Sequence, residues 1–178
     1  RDRFLMKVLV EYPTRAQEAE IVRRMSVDPP RANRLLDPDA LSDLQRRADE
    51  VFVHDAVLDY AVRLVLATRS PAEHGLADLA PLIAHGASPR ATLGLIAAGR
   101  GLALLRGRRY ALPRDVYDVA RDVLRHRVLL TYEALADSIT AESVVERIVS
   151  TVLAPRVTPT QDGVTYDFAA PGALAVAS

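Results

Sequence analysis

The stretch HDAVLDYAVRLVLATR, His54 to Arg69, is apolar nearly all round. From Asp55 onward, Val57, Leu58, Ala61, Val62, Leu64, Val65 and Leu66 leave no wide polar face. A helix of that kind is enclosed by other elements, so residues 55–69 are predicted to be the central helix of a helical domain. The flanking sequence supplies partners. Upstream, Asp37 caps and Pro38 opens a helix with Leu41, Leu44, Ala48 and Val51 at three- and four-residue steps, a face predicted to lie in the core. Downstream, past a loop with Ser70, Pro71 and Gly75, Ser88 and Pro89 open a helix running to about Arg106. Gly94, Gly99 and Gly101 inside it each cost about 1 kcal/mol relative to alanine, which close helix contact would explain. After the turn RGRRY, Pro113 opens a further helix with Val116, Val119, Ala120 and Val123 inward. Thr140 caps the next, whose stripe is Val144, Val145, Ile148, Val149 and Val152.

The start of the chain reads differently. FLMKVLV, Phe4 to Val10, is rich in residues that suit a pleated, buried surface and is predicted as one strand. Thr14 and Gln17 form a capping-box pair that opens a helix carrying Ile21, Val22 and Met25. SVDPPRANRLL then reads as a linker, because two prolines and short polar residues oppose helix. From Ala154 the tail is rich in proline, glycine and alanine, with one short strand-like run, VTYDF, after Asp162-Gly163.

Basic and acidic side chains balance at 23 each, so no global field draws the chain onto nucleic acid or an anionic membrane. With no cysteine, thiol nucleophiles, thiolate metal sites and disulfides are excluded, which fits a reducing cytoplasm. The four histidines, His54, His74, His85 and His126, include no pair at i, i+4, and no metal site is expected. No apolar run approaches the ~20 residues of a membrane span, and RDRFLMKVLVEYP is not a signal peptide. Lys7 is the only lysine, an arginine usage expected of a GC-rich bacterial genome. The chain lacks an initiator methionine and begins in a strand-like run, so it is expected to be a C-terminal piece of a longer protein.

One residue breaks a local rule. Arg90 falls in the first turn of the helix begun at Pro89, where unpaired N–H groups and the macrodipole disfavour a cation by ~0.3–1 kcal/mol. An anion held at that turn would reverse the sign, since helix N-termini bind phosphate. The alternative is a solvated arginine on an exposed face.

Four blocks, in this order and spacing, resemble the C-terminal part of a MoxR-type AAA+ ATPase: DRFLMKV with YP soon after, HDAVLDYAVRLVLATR, GASPRA followed by ALLRGRRYALPRDV, and DVLRHRVLLTYEAL. The resemblance covers roughly Asp2 to Leu153. It implies a mainly α fold, a helical lid-domain bundle preceded by one strand and helix left from an α/β nucleotide-binding domain. Residues 1–27 would end the α/β core, 28–37 form the linker, 38–153 the lid domain and 154–178 the tail. Arg3, in the DRF position, resembles the arginine finger that one subunit inserts into its neighbour's ATP site in trans. Arg90, in the SPR position, resembles the ATP-binding sensor-2 arginine acting in cis. Phosphoryl transfer spreads negative charge over oxygens that a planar guanidinium matches with paired donors. For Arg3 the alternative is a surface charge paired with Asp2. Arg100, Arg106, Arg108 and Arg109 are expected to form a solvated face, and Leu112 stands where a hydroxyl residue would cap the following helix better.

The chain contains no GxxxxGK[ST] loop and no strand ending in an acidic pair, so alone it is expected to be catalytically inactive and to hold no cofactor. The resemblance implies that the full-length protein hydrolyses ATP with Mg²⁺ as a homo-oligomeric ring, a hexamer, in the cytoplasm. It also implies chaperone-like assembly or activation of protein complexes, alongside a protein with a von Willebrand factor A domain. Two other classes stay open. RGRRY between two helices is similar to a helix-turn-helix, but the acidic residues of PRDVYDVARD would repel a nucleic-acid backbone. A purely structural helical interaction module is the other.

Overall fold

The computed structural model describes residues 2–160 and 163–167, with side chains described through Arg156. The chain divides into two compact units, one of residues 1–7 with 47–178 and one of residues 8–46.

In the larger unit, α3 (Asp55–Arg69) occupies the middle, as its apolar circumference requires. Around it pack α4 (Pro89–Leu105), α5 (Pro113–Leu124) and α7 (Ala141–Thr151). Tyr60, Leu64 and Val65 of α3, Leu95 of α4, Val116 and Val123 of α5 and Ile148 of α7 are among the fully buried side chains. Leu58 and Leu66 are the exceptions on α3, both lying exposed. The valines foreseen as the inner face of α5 are buried, and so is the stripe of α7.

Two short strands tie the ends of this bundle. β1 (Ile83–His85) pairs antiparallel with β2 (Leu129–Leu130), and Thr131 next to β2 donates its N–H to the Leu82 carbonyl at 3.0 Å. Thr131 also caps α6 (Tyr132–Ala136), a single turn that the sequence pattern did not reveal. Near the end of the chain, β3 (Arg156–Thr160) pairs antiparallel with β4 (Gly163–Asp167). Four residues of the strand-like run VTYDF fall in β4, and Phe168 lies outside the described residues.

The smaller unit holds α1 (Arg15–Met25) and most of α2 (Pro38–Asp49), joined by the expected linker. Thr14 and Gln17 form the expected reciprocal cap, and the Asp37 carboxylate accepts from the Ala40 N–H at 2.7 Å. Two expectations fail here. Leu41 and Leu44 are exposed, Leu41 by 50%, so their face of α2 is not part of the core; only Val51 beyond the helix end is buried. The second concerns Phe4 to Val10, whose first four residues belong to the larger unit. It forms no strand, because no strand among the described residues offers its backbone a ladder, and in this run the Lys7 N–H donates to the carbonyl of Asp122. Strand-forming side chains without a partner strand form no ladder.

Candidate anion site at the N-terminus of α4

The start of α4 is fixed by contacts made one step earlier in the chain. Gly86 runs so close to the end of α3 that a Cβ there would sit 2.4 Å from the Thr68 carbonyl oxygen. The next residue is held from both sides: the Ala87 N–H donates to the Thr68 hydroxyl at 2.8 Å, and its carbonyl accepts from Arg69 Nε at 2.6 Å. The hydroxyl of buried Thr68 donates in turn to the Val65 carbonyl. Ser88 then caps the helix, its hydroxyl accepting from the Arg90 N–H, and Pro89 takes the first position, where no N–H is needed. Gly86, Thr68 and Arg69 are the residues that place Ser88 and Arg90.

An anion already stands at this helix start, and it belongs to the chain. The Asp2 carboxylate accepts from the Ser88 hydroxyl at 2.8 Å and from Arg90 Nη1 at 3.4 Å, while its other oxygen accepts from Arg127 Nε at 3.2 Å. These partners hold the Asp2 carboxyl below the usual range. The Ser88 hydrogen bond is the largest influence, and Arg90 and Arg127 add to it against the opposing effect of burial. Arg90 remains 61% exposed, so it is free to turn toward another anion.

Arg3 is exposed and makes no hydrogen bond or ion pair among the described residues. It is not paired with Asp2, whose carboxylate is taken by Ser88, Arg90 and Arg127. The structure therefore joins the two sequence-predicted arginines indirectly: Arg90 touches Asp2, and Asp2 precedes Arg3. Arg127, which sequence reasoning passed over, is the buried member of the group.

The expected solvated arginine face is corrected in part. Arg106 and Arg108 both reach the fully buried Asp115 carboxylate, at 2.7 and 2.6 Å, and Arg106 also reaches Asp118 at 2.6 Å. Asp115 in turn accepts from the Leu112 N–H at 2.8 Å, which supplies from the third residue of α5 the cap that Leu112 cannot give. The guanidiniums of RGRRY are thus largely committed to carboxylates, which removes much of the positive charge that a nucleic-acid backbone would require. The glycines also divide. Gly94 and Gly99 pack closely, with a Cβ falling 3.2 Å from Val123 Cγ1 and 3.4 Å from Val116 Cγ2, whereas Gly101 faces open space and close contact does not explain it.

Comparison with known proteins bears on the family and the helical fold. Residues 76–148, which include α4 and α5, match the AAA lid domain family. The chain is 53% identical over 157 residues to "Chaperone MoxR1" of Mycobacterium tuberculosis, covering 88% of this chain and 42% of that protein. It is 42% identical over 80 residues to the MoxR protein of Paracoccus denitrificans, covering 43% of this chain and 24% of that one. A crystal structure of a proposed ATPase from Cytophaga hutchinsonii superposes with a TM-score of 0.81 at 34% identity, covering 85% of this chain and 47% of the other. The chain spans less than half the length of these relatives. With its lid-family match, its 53% identity and its shared helical architecture, the chain belongs to the MoxR-type AAA+ ATPases and carries their helical lid region.

Proposed function

We propose that this chain supplies two arginines to ATP hydrolysis in a ring, probed from opposite sides: Arg90 reaches phosphate bound in its own subunit, and Arg3 enters the site of the next. In this reading residues 1–27 end the nucleotide-binding core, 28–37 link, 38–153 form the lid and 154–178 are a tail. The ring is a homo-hexamer working with ATP and Mg²⁺ in the cytoplasm. Its work is chaperone-like assembly or activation of protein complexes, together with a von Willebrand factor A domain partner. The 178-residue chain by itself neither hydrolyses ATP nor binds it tightly, since it carries no GxxxxGK[ST] loop.

The observation that carries the reading is the carboxylate of Asp2 on the first turn of α4. A helix start that carries Arg90 holds an anion with a serine hydroxyl and a guanidinium, the groups that a phosphate oxygen would use. Subunit mixing in the full-length protein tests the division of roles. An Arg3→Ala subunit keeps its own pocket but fails its neighbour, whereas a subunit with a dead phosphate loop still offers a working finger. Mixing the two should restore ATPase activity, and since fingers are worth ~10³–10⁵ in rate, sparse mixed interfaces are visible. Arg90→Ala damages the pocket that holds its own ATP, so mixing restores nothing. Rescue of Arg90→Ala alone would mean the roles are exchanged, and rescue of neither would end the trans role of Arg3. A pull-down of differently tagged subunits verifies that mixed rings form.

A further inference from the structure

Arg127 lies just beyond the end of α5 with its side chain only 3% exposed. A buried guanidinium demands acceptors for its N–H groups. One is the Val123 carbonyl, left without a helical partner in the last turn of α5. All the others come from the first residues of the chain. Arg127 donates to the carbonyls of Phe4 at 2.6 Å, Leu5 at 3.1 Å and Asp2 at 3.4 Å, and to the Asp2 carboxylate at 3.2 Å.

Neighbouring groups reinforce this clamp. His126 Nε2 lies 3.1 Å from the Phe4 carbonyl, a bond that requires the ring proton on that nitrogen. The Lys7 N–H donates to the Asp122 carbonyl at 2.8 Å. Met6 packs against the main core. On the other side, α4 packs against the clamp at Gly94, where a Cβ would meet Arg127 Nη2 at 3.5 Å and Leu5 Cδ1 at 3.6 Å, ordinary contact distances. Residues on both sides of Arg3 are therefore tied to α5, while Arg3 itself is left exposed.

We propose that Arg127 is a positioning residue, fixing the backbone of Asp2, Phe4 and Leu5 to the end of α5 and so setting the direction in which Arg3 is presented to a neighbouring subunit. The proposal rests on the reading of Arg3 as a finger. Only arginine suits the task, because its rigid fork reaches several carbonyls at once, whereas the three donors of lysine radiate from one atom.

Arg127→Lys keeps the charge and removes the fork, so two measurements on it decide the matter. In the 178-residue chain, amide hydrogen exchange at Lys7 should accelerate at least tenfold while amides of α3 keep their protection; unchanged exchange at Lys7 overturns the clamp. In the full-length protein, Arg127→Lys should lose at least tenfold in ATPase rate, keep its ATP affinity within twofold, and be rescued by mixing with the phosphate-loop-dead subunit, as Arg3→Ala is. If Arg3→Ala is rescued and Arg127→Lys is not, the positioning role is wrong and the finger stands. If Arg3→Ala is not rescued, the finger reading fails and the positioning role falls with it. Should Arg127→Lys also lose protection throughout α3, Asp2→Asn repeats the Lys7 exchange and the ATPase rate at saturating ATP with one bond of the clamp weakened. Its ATP affinity is expected to rise, because the substitution also releases Arg90. An unchanged Lys7 rate together with an unchanged ATPase rate overturns the proposal.

Discussion

Asp2 Oδ2 stands 3.4 Å from Arg90 Nη1, so the residue before Arg3 occupies the side chain expected to meet ATP phosphate. Such a pair, well exposed, is worth about 0.2–1 kcal/mol. A phosphate that recruits Arg90 must displace it. Asp2→Asn in the full-length protein should therefore raise ATP affinity by up to about fivefold, and this gain should vanish when Arg90 is already alanine. Isothermal titration of the four variants measures the coupling. Equal gains in both backgrounds would mean that Asp2 does not compete for Arg90.

Asp115 is the buried charge on which the turn between α4 and α5 depends. Burial is the largest single influence and pushes its carboxyl up, but Arg108, the Leu112 N–H and Arg106 together outweigh it and hold the carboxyl below the ordinary value. A group depressed in the folded state contributes stability that is present above the unfolded carboxylate pKa of about 3.9 and is lost as pH falls through the lower folded value. Chemical denaturation of the 178-residue chain should show stability falling below about pH 4, and Asp115→Asn should flatten part of that slope. Asp115→Asn should also cost about 2–3 kcal/mol at pH 7, somewhat less than the usual cost of about 3–5 kcal/mol for a broken buried pair because both arginines can reach water.

Two glycines, one before α4 and one inside it, should respond with opposite signs. Gly86→Ala drives a methyl group to within 2.4 Å of a backbone carbonyl that cannot step aside, and should destabilise by about 1–3 kcal/mol. Gly101→Ala meets nothing within 4 Å inside a helix, and should stabilise by up to about 1 kcal/mol. Thermal melts of the two variants give the comparison, and a shift of the same sign in both would contradict it.

What the sequence disclosed was what neighbouring residues decide among themselves. Thr14, Asp37, Ser88 and Thr140 each cap a helix from within three residues, and each helix begins where its cap foretold. The circumference of α3 and the inner face of α5 were legible for the same reason, since 3.6-residue periodicity is local. Phe4 to Val10 was misread because strand character is realised only with a partner strand, and the leucines of α2 because a helical face is core only when something covers it. Arg106 and Arg108 looked like a solvated cluster until the fold turned Asp115 inward beneath them. The place of Arg90 in the first turn of α4 was legible from Ser88 and Pro89 before it. Arg127 was not, because all its partners but the Val123 carbonyl lie more than 120 residues away; the one local trace is a cation beyond the end of α5, where the helix C-terminus favours it.

Arg90 is the residue on which the proposed chemistry most directly turns, and ATP binding to the full-length Arg90→Ala protein is the measurement that reaches it. A charge-assisted hydrogen bond to phosphate contributes about 1.5–3 kcal/mol, so the dissociation constant for ATP should rise about 10- to 100-fold while the lid keeps its thermal stability. Arg90→Lys should fall between, because it keeps the charge but not the paired donors. ATP affinity within twofold of the parent in a folded Arg90→Ala ring would leave Arg90 a solvated surface arginine, and would contradict the reading of the α4 N-terminus as a phosphate site.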